Sequence, residues 1–297
     1  MTGAALDTDA LVAGLLARCT FPAAGTRVTC AVSGGPDSMA LLVLATHAGC
    51  VATAHHVDHG LRPVSRDEGA LVRTLCRDLG ADFVETRLRV EPGSNLEARA
   101  RDARRAVLPP DAMTGHTLDD QAETVLVNLL RGAGTAGTAA MAPGHRHPLL
   151  AVRRAETHAL CRALDIRTAD DESNRDPRHQ RNRVRAEVLP LLAEIARRDV
   201  APLLARHATL ARDDEALLEE LAAALDVTDA RALCAAPLPL ARRAVRRWLA
   251  GVHPPDLATV DRVLDVARGH ALACHVEGGR EVRRRAQRLT IRPTARV

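Results

Sequence analysis

The chain has 297 residues, enough for one large core and a smaller second domain, since single cores stop growing near roughly 250–300 residues. Ala, Leu and Val carry most of its 46% hydrophobic content, and two Phe, one Trp and no Tyr exclude a binding surface built on stacked aromatic rings. All 41 basic residues are arginine, the net charge is +4, and no run approaches ~18 uncharged apolar residues, which excludes a membrane-spanning helix. The charge is unevenly placed. Residues 242–297 hold 13 Arg against 5 acids, whereas 1–150 and 151–241 each carry a net −2. A basic end on a nearly neutral body reads as a footprint for nucleic acid, the alternative being a solvated arginine-rich surface. The seven cysteines form an odd set with no Cys-x-x-Cys pair and read as buried thiols of a reducing compartment. Asp7 and Asp9 precede the first apolar stretch, unlike the positive start of a signal peptide, so the expected location is cytoplasmic.

In chain order, residues 27–32 predict a first strand, followed by Ser33-Gly34-Gly35-Pro36-Asp37-Ser38 and a helix over 38–48. A glycine turn at the carboxyl end of a strand aims backbone N–H groups and a helix N-terminus at one spot, a cradle for phosphate. It is not a Walker loop, which needs a lysine, and the chain has none. The hydroxyls of Ser33 and Ser38 can donate to phosphate oxygens. Asp37 would repel phosphate unless it holds a cation, which suggests Mg²⁺. A glycine turn can merely start a helix; the strand before and the helix after favour the cradle.

A second strand over Val51–Val57, an amphipathic helix over 66–79, a third strand over Phe83–Leu88, an arginine-rich helix over 95–108 and a short fourth strand at 112–114 follow. Strands alternating with helices of this length predict right-handed crossovers and a parallel sheet, with ligands outside the carboxyl ends of the strands. That places Ser33–Ser38, Asp58-His59-Gly60 and Gly115-His116 on one rim. Residues 118–131 turn Leu118, Ala122, Val125 and Leu129 inward and set His116, Asp120 and Glu123 at i, i+4 and i+7 on another face. Alone, that polar stripe is a solvated helix face; beside a phosphate loop it is an acidic notch. Residues 132–144 read as a flexible loop and 187–223 as mostly helical. A hairpin is predicted around Gly278-Gly279, with a strand from Arg288 to Ile291. The fold class is α/β, a parallel-sheet Rossmann-like domain over 1–192, then a helical linker and a small basic α+β domain over 193–297. In that basic end Arg242, Arg243, Arg246 and Arg247 at helical spacing, and Arg283, Arg284 and Arg285 after the glycine turn, are candidate phosphate contacts.

The word Ser33-Gly34-Gly35-x-Asp37-Ser38 resembles the pyrophosphate (PP) loop of the N-type ATP pyrophosphatases, which leave AMP on a substrate oxygen. Further words follow it in order: His56-Val57-Asp58-His59-Gly60-Leu61-Arg62, Glu97-Ala98-Arg99-Ala100-Arg101, Thr114 to Thr124, Leu130-Arg131-Gly132-Ala133-Gly134, Asp171-Glu172-Ser173-Asn174 and Arg181-Asn182-Arg183-Val184-Arg185. Together they resemble the tRNA(Ile)-lysidine synthase family over residues 27–192. The last hundred residues are similar only in length, charge and the glycine hairpin of the family's short forms. The resemblance implies a PP-loop fold, ATP and Mg²⁺ as cofactors, and ATP-dependent ligation of free L-lysine to C2 of the wobble cytidine of a CAU-anticodon isoleucine tRNA. The reaction would pass through an adenylated cytidine and release AMP and pyrophosphate. It implies nucleotide contacts from Ser33, Gly34, Gly35, Pro36, Asp37, Ser38, Asp58 and His59, with Asp37 on Mg²⁺. It places Asp37, His116, Asp120, Glu123 and Arg104 at the reacting centre, lysine recognition on His116, Asp120 and Glu123, and RNA contacts on Arg99, Arg101, Arg181 and Arg185. A homodimer is compatible with the sequence.

The residues also allow plainer readings. Arg99, Arg101 and Arg104 could line an exposed helix, Asp58 and His59 could cap a strand end, and Arg181 and Arg185 could pair with Asp171 and Glu172. Thr117 stands where the family often has a second histidine, Arg105 and His179 where an aromatic is common, and Thr138 to Ala140 in place of Leu-x-Gly. Two competing functions are a tRNA thiolase on the same loop, which normally shows short-spaced cysteine pairs, and a non-catalytic RNA-binding protein, supported by the basic end alone.

Overall fold

The computed structural model describes residues 8–58, 65–88, 99, 103, 106–169, 176–251 and 254–294, with the backbone alone at 65–67. His59, Arg101, Arg104, Arg105, Asp171 and Glu172 lie outside the described residues. Two compact units are present, the first ending at Leu210 and the second beginning at Ala211.

The first unit is built on four parallel strands, β1 (Arg27–Ala31), β2 (Val51–Asp58), β3 (Asp82–Arg87) and β4 (Met113–Thr114), in the order β3-β2-β1-β4. Cys30 of β1 pairs with Ala54 on one side and Met113 on the other. The chain therefore runs from β1 outward through β2 to β3, then returns to the opposite side of β1. This reversal opens a crevice between the carboxyl ends of β1 and β4, the place where such sheets bind ligands. Helix α1 (Thr8–Leu16), which the sequence reading leaves unassigned, precedes the sheet. Helix α2 (Pro36–His47) has Gly35 as N-cap and Pro36 in its first turn, and every residue from Ser38 to Ala45 is buried. A helix apolar all round must be covered on all sides; α1, β1, β2, α3 (Ser65–Leu79) and α6 (Arg154–Ala163) pack against it. Leu41, Leu42, Leu44, Cys30, Leu149 and Leu160 form the centre of this core.

Helix α4 (Leu118–Leu130) differs from its sequence reading. It starts after Thr117, so His116 precedes the helix instead of sharing a helical face with Asp120 and Glu123. Its amino-terminal half is buried nearly all round, Asp120 and Glu123 included, while Leu129 is exposed. The predicted loop over 132–144 contains the short helix α5 (Thr135–Thr138), tied to α4 by Asn128 Nδ2 donating to Gly137 O and by a two-way bond between Gln121 and Met141. Helix α7 (Gln180–Arg183) runs through a wide π turn at Val184–Val188 into α8 (Leu189–Ala196), and α9 (Ala201–Ala223) follows.

The second unit packs α10 (Ala230–Ala235), α11 (Leu238–Leu249) and α12 (Leu257–Arg268) with an antiparallel sheet of β5 (Ala273–Val276), β6 (Arg280–Arg285) and β7 (Arg288–Pro293). Gly278 and Gly279 turn the first hairpin at φ +78° and +64°, which only glycine adopts without cost. The strand pleat divides the arginines. Val282, facing Cys274 and Ile291 across the sheet, is buried, and Arg284 follows it on that face with Nη2 on Gln287. Arg283, Arg285, Arg288 and Arg292 alternate onto the opposite face and are exposed. Of the helical arginines, Arg242 pairs with Asp261, Arg243 with Glu215, and Arg246 donates to Pro255 O, so these three bind their own unit together.

Gly115 carries the crevice. A Cβ there would lie 2.6 Å from Asp37 O and 2.8 Å from its carbonyl carbon, a collision with backbone. Gly115→Ala should lower stability by about 1–3 kcal/mol, the usual cost of overpacking. Urea unfolding measures it, and a wild-type midpoint would show that the two rims can separate freely.

Candidate active site

The loop after β1 is shaped from within. Gly34 sits at φ +92°, and its carbonyl accepts Ala169 N–H at 2.9 Å. Ser38 Oγ donates to Gly35 O at 2.9 Å and accepts Ser33 N–H at 3.1 Å. Ser38 Oγ also lies 3.3 Å from Ser33 Oγ, so the hydroxyls of the loop help to hold its turn. Among the described residues no acceptor meets the N–H groups of Gly34 and Gly35. With the N-terminus of α2 behind them, they leave a cradle for an anion.

Across the crevice stand the carboxylates of α4. Asp120 Oδ2 accepts both the backbone N–H of Thr117 at 2.9 Å and its hydroxyl at 2.8 Å, so Thr117, fully buried, caps the helix and aims Oδ1 away. Asp120 Oδ1 receives Arg154 Nη2 at 2.9 Å and Arg181 Nη2 at 3.3 Å. Glu123, 0% exposed, takes Arg154 Nη1 at 2.9 Å and Arg185 Nε at 2.7 Å on Oε1, and Arg181 Nε at 2.8 Å and Arg185 Nη2 at 3.0 Å on Oε2. The remaining Arg154 nitrogen, Nε, lies 3.3 Å from Asp37 Oδ2, while Thr157 Oγ1 donates to Asp37 Oδ1. One guanidinium therefore joins the loop carboxylate to both helix carboxylates, and three carboxylates meet three arginines.

The electrostatics follow from this balance. Burial works against the charge of Asp120 and Glu123, yet Arg154 and Arg181 at the first, and Arg185 and Arg154 at the second, hold both below the usual carboxylate range. Burial prevails at Asp37, whose pKa is raised despite Thr157 and Arg154. Arg154 itself is desolvated, but Asp120 and Glu123 raise its pKa.

The sequence-predicted residues divide accordingly. Ser33 to Ser38, His116, Asp120, Glu123, Arg181 and Arg185 are placed around the crevice and its carboxylates. Asp58, buried at the end of β2, has Arg87 Nε at 3.9 Å. Arg99 is exposed, and Arg283 to Arg285 belong to the other unit. Sequence reasoning missed Arg154 and Thr157 on α6 and the pair Asp119–Arg153, in which Arg153 Nε and Nη2 reach Asp119 at 3.0 and 2.9 Å. A signal existed: Thr157, Leu160 and Cys161 are the buried residues of α6, a helical spacing that begins beside two arginines.

Mg²⁺ usually takes one or two carboxylates and completes its shell with phosphates and water. Among the described residues no cluster of three or more His, Cys, Asp or Glu could cage a metal. One hard oxygen donor, Asp37, stands at the anion cradle, and this donor set fits a Mg²⁺ that arrives with a nucleotide.

Residues 12–192 match the PP-loop domain family. A tRNA(Ile)-lysidine synthase of Nocardia farcinica is 41% identical over 93% of this chain and 95% of its own. The chain belongs to the tRNA(Ile)-lysidine synthase family. Synthases of this name from Mycobacterium tuberculosis (39% identical; 80% of this chain, 81% of the relative) and Gloeobacter violaceus (39%; 76% and 77%) are also similar. Among solved structures, the U34-tRNA thiolase NcsA of Methanococcus maripaludis, with its [4Fe-4S] cluster, superposes with a TM-score of 0.53 at 19% identity over 72% of this chain and 79% of that one, a likeness of fold. In this lysidine synthase family member, then, the PP loop and the α4 carboxylates are held by one arginine.

Removing that arginine should expose the balance. Arg154→Leu strips a partner from a buried ionic network and should cost about 3–5 kcal/mol at pH 7. The lowered pKa values of Asp120 and Glu123 contribute stability that is present above the ordinary carboxylate pKa and is lost as pH falls through the folded values. Urea unfolding against pH should therefore show a shallower acid loss in the variant, whose carboxylate pKa values lie closer to those of the unfolded chain, so the stability gap between the two proteins narrows as pH falls. Coincident profiles would show that Arg181 and Arg185 suffice.

Proposed function

We propose that this protein ligates free L-lysine to C2 of the wobble cytidine of a CAU-anticodon isoleucine tRNA, converting ATP to AMP and pyrophosphate. The observation that carries the mechanism is Arg154 touching Asp37 on one side and Asp120 and Glu123 on the other. A nucleotide half-site and an amine half-site lie one side chain apart, as a two-step ligation requires. A tRNA substrate is supported by the name of a relative that matches 93% of this chain.

In the first step the cytidine O2 attacks the α-phosphate. The N–H groups of Gly34 and Gly35 and the N-terminus of α2 face the phosphates, and Asp37 would hold Mg²⁺, which neutralises charge on the leaving pyrophosphate. In the second step the ε-ammonium of lysine, ordinarily with pKa ~10.4, must lose a proton before attacking C2. Asp120 and Glu123 suit a cation, since three already fill the notch. Arg181 and Arg185, with 32% of each side chain exposed against 18% for Arg154, are the ones an ammonium displaces. A displaced guanidinium is then free for a phosphate of the nucleotide or the RNA.

The exposed sheet face with Arg283, Arg285, Arg288 and Arg292 supports tRNA phosphate contact, with Arg284 turned to the other side. All seven cysteines are free thiols, in accord with a reducing cytoplasm. The thiolase reading is less well supported, because relatives named tRNA(Ile)-lysidine synthase match most of the chain at about 40% identity, whereas the likeness to the U34-tRNA thiolase is one of fold at 19%.

The deciding experiment supplies ATP, Mg²⁺, labelled lysine and the CAU-anticodon tRNA. Label should enter RNA, and none would reject the ligase. Asp37→Asn should abolish pyrophosphate release while the thermal transition persists. Asp120→Asn and Glu123→Gln should raise the lysine requirement but spare tRNA-dependent pyrophosphate release; equal loss of both steps would assign the notch to ATP or tRNA.

For RNA, replacing Arg283, Arg285 and Arg292 together by Gln should flatten the log-affinity against log-salt slope by roughly 2–3, about one per phosphate contact. Arg284→Gln should leave the slope alone. A triple variant with the wild-type slope would move recognition off this face.

A further inference from the structure

The start of α6 is held by a carboxylate that the mechanism above leaves unused. A helix begins with backbone N–H groups that have no partner within it, and the residue before it ordinarily supplies an acceptor from its own side chain. Before α6 stands Arg153, in an extended conformation, and a guanidinium can only donate. The acceptor comes instead from another helix. Asp119 Oδ2 receives the Arg154 N–H at 2.8 Å and Arg153 Nε at 3.0 Å, and Asp119 Oδ1 receives Arg153 Nη2 at 2.9 Å. The exchange is mutual, since the first N–H of α4, that of Leu118, donates to Val152 O at 2.9 Å. Two helix N-termini are thus tied to one another. The third nitrogen of Arg153, Nη1, pairs with Asp199, whose Oδ1 accepts the Ala201 N–H at 3.0 Å at the start of α9.

This tie bears on where Arg154 lies. Leu160 and Cys161 are buried on the inner face of α6, but the hydrophobic effect is non-directional and does not by itself set a helix's position along its axis. The bond to the Arg154 N–H fixes the first turn. The two side chains that this turn sends to the loop both end on Asp37, Arg154 Nε at 3.3 Å from one oxygen and Thr157 Oγ1 on the other. Along α4 successive side chains diverge by roughly 100°, so Asp120 meets the Arg154 guanidinium while Asp119 takes the Arg154 backbone. Neighbouring carboxylates therefore hold the two ends of one residue. Burial works against the charge of Asp119, but Arg153 and the Arg154 N–H hold its carboxyl below the usual range, and it stays an acceptor at neutral pH.

We propose that Asp119 is a positioning residue: by capping α6 at the Arg154 N–H, it sets the Arg154 guanidinium across Asp37, Asp120 and Glu123. What the placement does for chemistry rests on the ligase reading, in which Arg154 keeps the nucleotide half-site and the amine half-site in register. The placement itself does not rest on that reading.

The test is a ¹H–¹⁵N spectrum of the arginine side chains in the ¹⁵N-labelled full chain. A guanidinium whose two Nη groups bond to different carboxylates cannot rotate freely, so its Nη signals stay separate; the Arg154 set is identified by its absence from Arg154→Lys or Arg154→Gln. Separate signals are expected in the native protein and in Asp119→Asn, whose carboxamide oxygen still accepts the Arg154 N–H. Merged signals are expected in Asp119→Ala and Asp119→Leu, either of which suffices if the other fails to fold. Val72→Ala, which removes buried volume from the same core on α3, should keep them separate. Separate signals without the Asp119 carboxylate overturn the proposal, merging in Val72→Ala overturns it by making any loosening of the core sufficient, and merging in Asp119→Asn overturns it by assigning the effect to the Arg153 ion pair. Single-turnover lysine transfer onto adenylated RNA is read alongside. It should slow about 10- to 100-fold in Asp119→Ala, the scale of a misplacement near one ångström, and recover in Asp119→Asn. Merged signals with an unchanged transfer rate would uphold the placement and remove it from the lysine step. A native protein that transfers no lysine would reject the ligase reading and leave the spectra to decide the placement.

Discussion

Glu123 is a carboxylate with no exposure to water, and a buried charge of that kind persists only when it is paired and hydrogen-bonded. Its four bonds come from three arginines on two segments far apart in the chain, one at the start of α6 and two on the α7 helix and its π turn. The need to neutralise this one group brings those segments onto α4. It also recruits Arg154, whose third nitrogen then reaches the loop after β1. The site is assembled by charge balance laid over an aliphatic core that supplies no direction of its own.

The sheet gives that balance its place. Because β4 returns to the far side of β1, the first turn of α2 and the residues after β4 meet across the crevice, and Gly115 lets their backbones come within contact distance. A side chain at that position would part the loop carboxylate from those of α4 by the width of a methyl group. The Arg154 bridge, at 2.9–3.3 Å on all three carboxylates, has no such slack.

Local patterns made the frame legible. Strand and helix alternation gave the parallel sheet, and Ser33 to Ser38 gave the loop, because both rest on near neighbours in sequence. Asp120 and Glu123 could be singled out, but not as buried groups, since burial depends on what packs over them. Arg154 lies 31 residues from Glu123 and 117 from Asp37, and no spacing rule reaches so far. The opposite orientation of Arg284 was available from the two-residue period of a strand, though a run of three arginines hides it. Thr117, a departure from the family's pattern, is explained once the structure shows it capping α4 and orienting Asp120.

That Asp120 and Glu123 are ion-paired by arginines, Arg154, Arg181 and Arg185, has a chemical consequence. Arginine stays protonated at any pH the protein meets, with its nitrogen lone pairs delocalised over a planar group. The chain contains no lysine. On the proposed ligase reading, an activated ring carbon held in this crevice would meet guanidinium groups balanced by carboxylates and no ε-amine of the protein, so the attacking amine would come from outside.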